Sequence, residues 1–74
     1  GIDTPAKRAL YDNLDGDEKL AEAVDEAVRV NKQDDWQNNR FKTRKMLIAI
    51  AEALEDDERA AELLEVVKNQ REYN

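Results

Sequence analysis

Four stretches of this 74-residue chain repeat apolar residues every three or four positions, which is the spacing of one face of an α-helix. Residues that can cap a helix precede these stretches: Thr4, Asp17, Asn38 or Asn39, and Asp56 or Asp57. The pattern predicts helices at about 5–14, 18–31, 39–54 and 57–72. Because the connections are short and no stretch alternates polar and apolar residues, we expect an all-α fold, a compact bundle of four helices joined by short loops.

The third helix has the widest apolar set of the four. Its members are Phe41, Met46, Leu47, Ile48, Ile50, Ala51 and Leu54. A helix that is apolar around most of its circumference is usually buried on several sides. We therefore expect the third helix to be the central one.

The residue types present exclude most catalytic chemistry. The chain contains no Cys, His or Ser, which removes thiolate nucleophiles, imidazole bases and the usual zinc ligands. Its length allows one domain, residues 1–74, with a modest core and little room for a substrate pocket. We therefore predict a non-catalytic module without cofactor or metal. No apolar run approaches the roughly 20 residues of a membrane span, so we expect a cytoplasmic location and no membrane partner.

Two acidic segments offer weak alternatives as metal sites. The segment from Tyr11 to Asp17 superficially resembles a calcium-binding loop with Gly16 at its sixth position. Tyr11 would then replace the first carboxylate ligand and Leu20 a later oxygen ligand, so a helix end followed by a helix start is favoured. The acids at 55–58 are likewise expected to stabilise the positive end of the fourth helix.

The net charge of −6 at pH 7 is unevenly spread, since residues 31–45 hold five bases against two acids. Four of these bases, Arg40, Lys42, Arg44 and Lys45, fall in the first turns of the third helix, where positive charge opposes the helix dipole. Two interpretations are open. The bases pair with acids on the second and fourth helices, or they form a contact surface for an acidic partner, either protein or nucleic acid.

Two aromatic residues, Trp36 and Phe41, flank this basic segment. Trp is a favoured interface anchor, but in a small core a loop aromatic more often folds back onto the bundle. Packing is the favoured interpretation for both residues, and Tyr73 is expected to clamp the C-terminus onto the bundle or to lie on the surface. Trp36 is nevertheless kept in the candidate partner-binding set, which is Trp36, Arg40, Lys42, Arg44 and Lys45.

Three segments together resemble a known family. They are residues 2–14 (IDTPAKRALYDNL), 34–42 (DDWQNNRFK) and 64–73 (LEVVKNQREY). In this order and spacing they resemble the extreme C-terminal region of the restriction (R) subunit of type I restriction-modification enzymes. The resemblance covers nearly the whole chain and is specific as an ordered set rather than segment by segment.

The resemblance implies a role in assembly. The R subunit of that family is a type I site-specific deoxyribonuclease with ATP-dependent translocation, and its C-terminal helical regions are associated with docking onto a methyltransferase core of methylation and specificity subunits. No phosphate-binding loop or nuclease motif occurs in this chain, so neither activity is assigned to it. The expected partners are that core and the remainder of the R subunit, with DNA reached only through the complex. The alternatives are a DNA-contacting module that uses the basic patch, or an intramolecular packing domain.

Overall fold

The computed structural model describes residues 2–74, which form four α-helices and no strand. The helices are α1 (Pro5–Asn13), α2 (Glu18–Asn31), α3 (Arg40–Leu54) and α4 (Asp57–Lys68). Two 3₁₀ turns lie at Trp36–Asn38 and Arg71–Tyr73. Helix α3 packs against both α2 and α4, while α1 packs against α2 and α4. The prediction of an all-α bundle of four helices is confirmed.

All four helices begin at predicted capping residues, which are Thr4, Asp17, Asn39 and Asp56. Each side-chain oxygen accepts a hydrogen bond of 3.0–3.2 Å from a backbone N–H two or three residues further on. Such caps satisfy N–H groups that the first helical turn leaves without a partner. The helix starts are therefore determined locally by the sequence.

The connection between α1 and α2 is a helix end followed by a cap. Gly16 has a φ of 77° and its N–H donates to the Tyr11 carbonyl at 3.1 Å. The Asp17 carboxylate accepts from the Leu20 N–H and so caps α2. The favoured interpretation of this segment is confirmed.

Helix α4 is shorter than predicted, because it ends at Lys68 rather than near residue 72. The Asn69 side-chain amide donates to the Glu65 carbonyl at 3.0 Å, and Gln70 is extended. This break turns the chain back towards the bundle and buries Tyr73 completely. A continuous helix would have carried the Tyr73 ring away from the core.

The apolar core draws on every helix and on both 3₁₀ turns. Its buried members are Ala6, Leu10, Leu14, Ala21, Val24, Val28, Trp36, Met46, Ile50, Ala60, Leu63, Leu64, Val67 and Tyr73. None of the helices within residues 2–74 has the length and apolar character needed to cross a membrane.

Helix α3 is central but is not buried on all sides. Its fully buried side chains are Met46 and Ile50, four residues apart and therefore on one stripe. Phe41 is 83% exposed and Ile48 is 49% exposed, so the expectation that these two residues are buried is wrong. At about 100° per residue, Phe41 points roughly 140° away from Met46, which accounts for its exposure.

Candidate docking surface on helix α3

Trp36, the aromatic member of the predicted contact set, belongs to the core. It is 1% exposed, and its indole N–H donates to the Tyr73 carbonyl at 2.6 Å. Its own carbonyl accepts from the Thr43 hydroxyl at 2.7 Å. Its prediction as a partner-binding residue is therefore wrong, and the packing interpretation is confirmed. Trp36 is buried because its indole packs beneath the C-terminal segment and bonds to the Tyr73 carbonyl.

A buried polar network holds the C-terminus from the other side. The Tyr73 hydroxyl donates to the Asp25 carboxylate at 2.5 Å, and Arg29 Nε donates to the same oxygen at 2.9 Å. A second Arg29 nitrogen donates to Glu72 at 2.6 Å, and the guanidinium lies 5.3 Å from the centre of the Tyr73 ring. Tyr73 thus holds the C-terminus onto the bundle, which was one of the two predictions for it, the other being a surface position.

The network also shifts ionisation. Burial, together with the hydrogen bond to Asp25, raises the pKa of the Tyr73 hydroxyl. The hydrogen bond from Arg29 lowers the pKa of the Glu72 carboxyl. Both shifts favour the protonation states that the clamp requires at neutral pH, so these groups have a structural role.

The side of α3 that faces away from the core carries a mixed apolar and charged surface. We call it the α3 outer face and define it as Phe41, Arg44, Lys45, Ile48 and Glu52. All five side chains are exposed. At 3.6 residues per turn, they all project within about 60° of the direction of Ile48. The surface therefore runs along most of the helix.

The basic residues at the start of α3 fall into two groups. Lys42 is half-buried, and its ammonium donates to the Asp34 carbonyl at 2.9 Å. Arg40, Arg44 and Lys45 are exposed and have no carboxylate within 4 Å among residues 2–74. Pairing with acids of α2 and α4 therefore does not explain these three cations.

Most basic residues on the other helices do meet carboxylates within 4 Å, namely Lys7, Arg8, Arg29, Arg59 and Lys68. Lys19 of α2 is exposed and has no such partner among residues 2–74. The start of α3 differs because three unpaired cations fall within six residues there. The chain is acidic as a whole, yet no carboxylate among residues 2–74 lies within 4 Å of Arg40, Arg44 or Lys45. Of the predicted contact residues, Arg44 and Lys45 lie on the α3 outer face, whereas the exposed Arg40 projects about 140° away from Lys45 around the helix.

Two shallow grooves border the α3 outer face. One of about 570 Å³ lies between α2 and α3, where Ala27 and Asn31 face Lys45 and Ile48. A second of about 260 Å³ lies between Ile48 and the acidic start of α4. Ile48 is therefore an apolar ridge with a depression on either side, a shape that suits a helix or loop of another protein.

Arg44 and Lys45 supply hydrogen-bond donors to this surface, and Glu52 supplies a carboxylate acceptor. Among residues 2–74, no group of three or more acidic side chains is placed to share a metal ion.

The sequence analysis did not identify two residues of the α3 outer face as surface residues, Phe41 and Ile48. They are seven positions apart, which places them on the same side of a helix. Met46 and Ile50, four positions apart, define the opposite side. This contrast in helical phase could have identified both residues as exposed.

Comparisons with protein-family models, characterised proteins and solved structures gave no match to this chain. The resemblance to the C-terminal region of a type I R subunit therefore stays a prediction.

Proposed function

We propose that this chain is a non-catalytic assembly domain of a type I restriction R subunit, which docks the translocase and endonuclease subunit onto the methyltransferase core through the α3 outer face. One observation carries the choice of surface: Phe41 is 83% exposed and lies beside the unpaired cations Arg44 and Lys45. The resemblance of the sequence supports the choice of partner.

An exposed Phe is an effective anchor for a docking contact. A Phe side chain buries about 150–250 Å², and at about 25 cal/mol per Å² the 83% that is exposed in Phe41 corresponds to roughly 3–5 kcal/mol on full burial. Ordering the interface offsets part of this gain. The cations would contribute mainly to orientation and association rate, by attraction to acidic groups of the core.

The test is a binding assay between the R subunit, or the isolated domain, and the methyltransferase core. Phe41→Ala should weaken binding about 10- to 100-fold, which corresponds to 1.4–2.8 kcal/mol of lost contact. Val30→Ala is the matched control, because Val30 is 75% exposed on α2 and lies off the α3 outer face. Equal affinity of both variants with the wild type would overturn the proposed surface.

Charge reversal provides a second arm of the same assay. Arg44→Glu and Lys45→Glu should slow association at low salt without lowering the thermal midpoint, because both side chains are exposed and unpaired. Lys19→Glu, at an exposed position of α2, is the control for a simple change in net charge. An unchanged association rate in the Arg44→Glu and Lys45→Glu variants would show that these cations do not contribute to the contact.

A DNA-contacting module is the second candidate, favoured by the same unpaired cations, Arg40, Arg44 and Lys45. Three phosphate contacts would give a salt slope of roughly −2.7 in log affinity against log salt concentration. The net charge of −6 and the exposed Glu52 and Phe41 on the same side weaken this alternative. Fluorescence anisotropy of a labelled duplex at 50–200 mM salt separates it from protein docking.

The third candidate is a domain that only packs within its own subunit. Deleting it would then make the R subunit insoluble or unstable. The docking proposal instead predicts a folded R subunit that no longer assembles with the core. Solubility and complex formation measured on one deletion variant distinguish these outcomes.

A further inference from the structure

The exposed charges along α3 are ordered by sign about Ile48. Arg40, Arg44 and Lys45 precede it, and Glu52 follows it one helical turn later. Glu55, directly after the helix, extends the acidic end. All five charged side chains are exposed. Arg44 and Glu52 each project within about 40° of the direction of Ile48, so this side of α3 has a basic half and an acidic half separated by an apolar residue.

These charges do not pair within the chain. No ion pair within 4 Å joins any of them to another residue among residues 2–74. Along a helix, a side chain reaches those three and four positions away. For Glu52 these are Ile48, Ala49, Glu55 and Asp56, and for Arg44 they are Arg40, Phe41, Leu47 and Ile48. Neither charge has an opposite charge within that reach.

The spacing about Ile48 is symmetric. Arg44 lies four positions before it and Glu52 four positions after it, while Phe41 lies seven before and Glu55 seven after. When two copies of α3 run antiparallel with Ile48 at the crossing point, Arg44 of each copy comes opposite Glu52 of the other. Phe41 of each copy lies over the methylene groups of the other copy's Glu55.

We propose that the α3 outer face binds the same face of a second copy of this chain, in an antiparallel, two-fold symmetric pair centred on Ile48. Such a contact is self-complementary, which is the requirement for a closed dimer. A parallel pair would bring like charges together and is disfavoured. The groove beside Ile48 receives the partner's Ile48 and relieves its exposure.

The pair is weak because it uses little more than one helix face. Fifteen residues of α3 span about 22 Å, and a face of that length and roughly 10 Å in width covers about 220 Å². This area falls well short of the roughly 800 Å² per partner of a stable complex. We expect a dissociation constant on the order of 10 μM to 1 mM. The inference goes beyond the proposed docking function and does not depend on it. If both hold, self-association and docking compete for one surface.

Analytical ultracentrifugation of the 74-residue chain tests the pair. At 50 mM salt and concentrations up to about 1 mM, the average mass of the wild type should rise towards that of a dimer. Arg44→Glu alone and Glu52→Lys alone should each weaken association at least tenfold, because each brings like charges together. Lys19→Glu, which changes net charge as Arg44→Glu does, should associate like the wild type. Circular dichroism checks that each variant is folded.

Combining the two charge reversals tests whether Arg44 of one copy lies opposite Glu52 of the other. A 1:1 mixture of the Arg44→Glu and Glu52→Lys variants, and the double variant that carries both changes, should each recover association to within about threefold of the wild type. A monomeric wild type at 1 mM would overturn the proposal. So would single reversals without effect, or reversals that the mixture does not rescue. None of these results bears on binding to the methyltransferase core, which is measured separately.

Discussion

Replacing Tyr73 with Phe removes one hydroxyl group from the interior of the bundle and leaves the ring in place. That hydroxyl donates to Asp25 at 2.5 Å, and the Asp25 residue is only 7% exposed. The carboxylate would keep its hydrogen bond from Arg29 at 2.9 Å but would have no replacement for the lost donor. The variant therefore isolates one charge-assisted hydrogen bond of the C-terminal clamp.

The magnitude follows from the type of hydrogen bond. Hydrogen bonds to charged groups contribute about 1.5–3 kcal/mol, and a buried acceptor that loses its donor retains its desolvation cost. The retained pairing with Arg29 limits the loss for Tyr73→Phe to about 2 kcal/mol of unfolding free energy. In a domain of this size, that corresponds to a fall in thermal midpoint of roughly 8–16 °C.

Urea unfolding followed by the fluorescence of Trp36, the only Trp, measures this loss directly. Its indole N–H is bonded to the Tyr73 carbonyl, so the signal reports on the clamp itself. Tyr11→Phe is the matched control, since Tyr11 is only half-buried and should lose less than about 0.5 kcal/mol. A loss below 0.5 kcal/mol for Tyr73→Phe as well would refute the argument that this hydrogen bond stabilises the fold.

Three further variants test other parts of the account. The pKa of the Glu72 carboxyl is lowered in the folded state, so its ion pair stabilises the fold at pH values above its ordinary pKa of 4.5. This contribution is lost as the pH falls through the folded-state pKa. Between pH 5 and pH 3, the urea midpoint of Glu72→Gln should therefore decline less than that of the wild type. Gly16→Ala should cost about 1 kcal/mol in chemical denaturation, because φ is 77° there and the added Cβ meets nothing closer than 3.5 Å. Ile50→Ala should cost about 2–5 kcal/mol, because the Ile50 side chain is fully buried, whereas Val30→Ala on the surface should cost less than about 0.5 kcal/mol.

Much of the fold could be predicted from the sequence because the signals are local. Thr4, Asp17, Asn39 and Asp56 each act on backbone groups two or three residues away, and a single sequence contains that information. The end of α4 depended instead on a distant contact. Asn69, directly after Lys68, is a residue type that often ends a helix, but the burial of Tyr73 beside α2 depends on contacts with distant parts of the chain that the local sequence does not contain.

The candidate site was predicted less well than the fold, because Trp36, which was predicted as a contact residue, is buried, and Phe41, which was predicted to pack in the core, is exposed. Trp36 is buried by contact with a carbonyl 37 positions away, which periodicity cannot reveal. Phe41 was expected in the core on hydrophobicity alone, although its helical phase relative to Met46 places it on the opposite side. Arg44 and Lys45, which were predicted as contact residues, are exposed, as expected for charged side chains that have no partner in a core. Their role as contact residues stays a prediction.

Methyl NMR provides the most direct test of the proposed docking role. The chain has three Ile residues, and Ile48 lies on the α3 outer face, whereas Ile50 is buried and Ile2 is half-buried at the start of the chain. Titrating the Ile-labelled domain with the DNA-free methyltransferase core should shift or broaden the Ile48 methyl signal in a saturable manner and leave Ile2 unchanged. The Phe41→Ala domain should respond only at about 10- to 100-fold higher concentration of core. A spectrum unchanged at tens of micromolar core, or one in which Ile2 responds and Ile48 does not, would contradict docking through this surface.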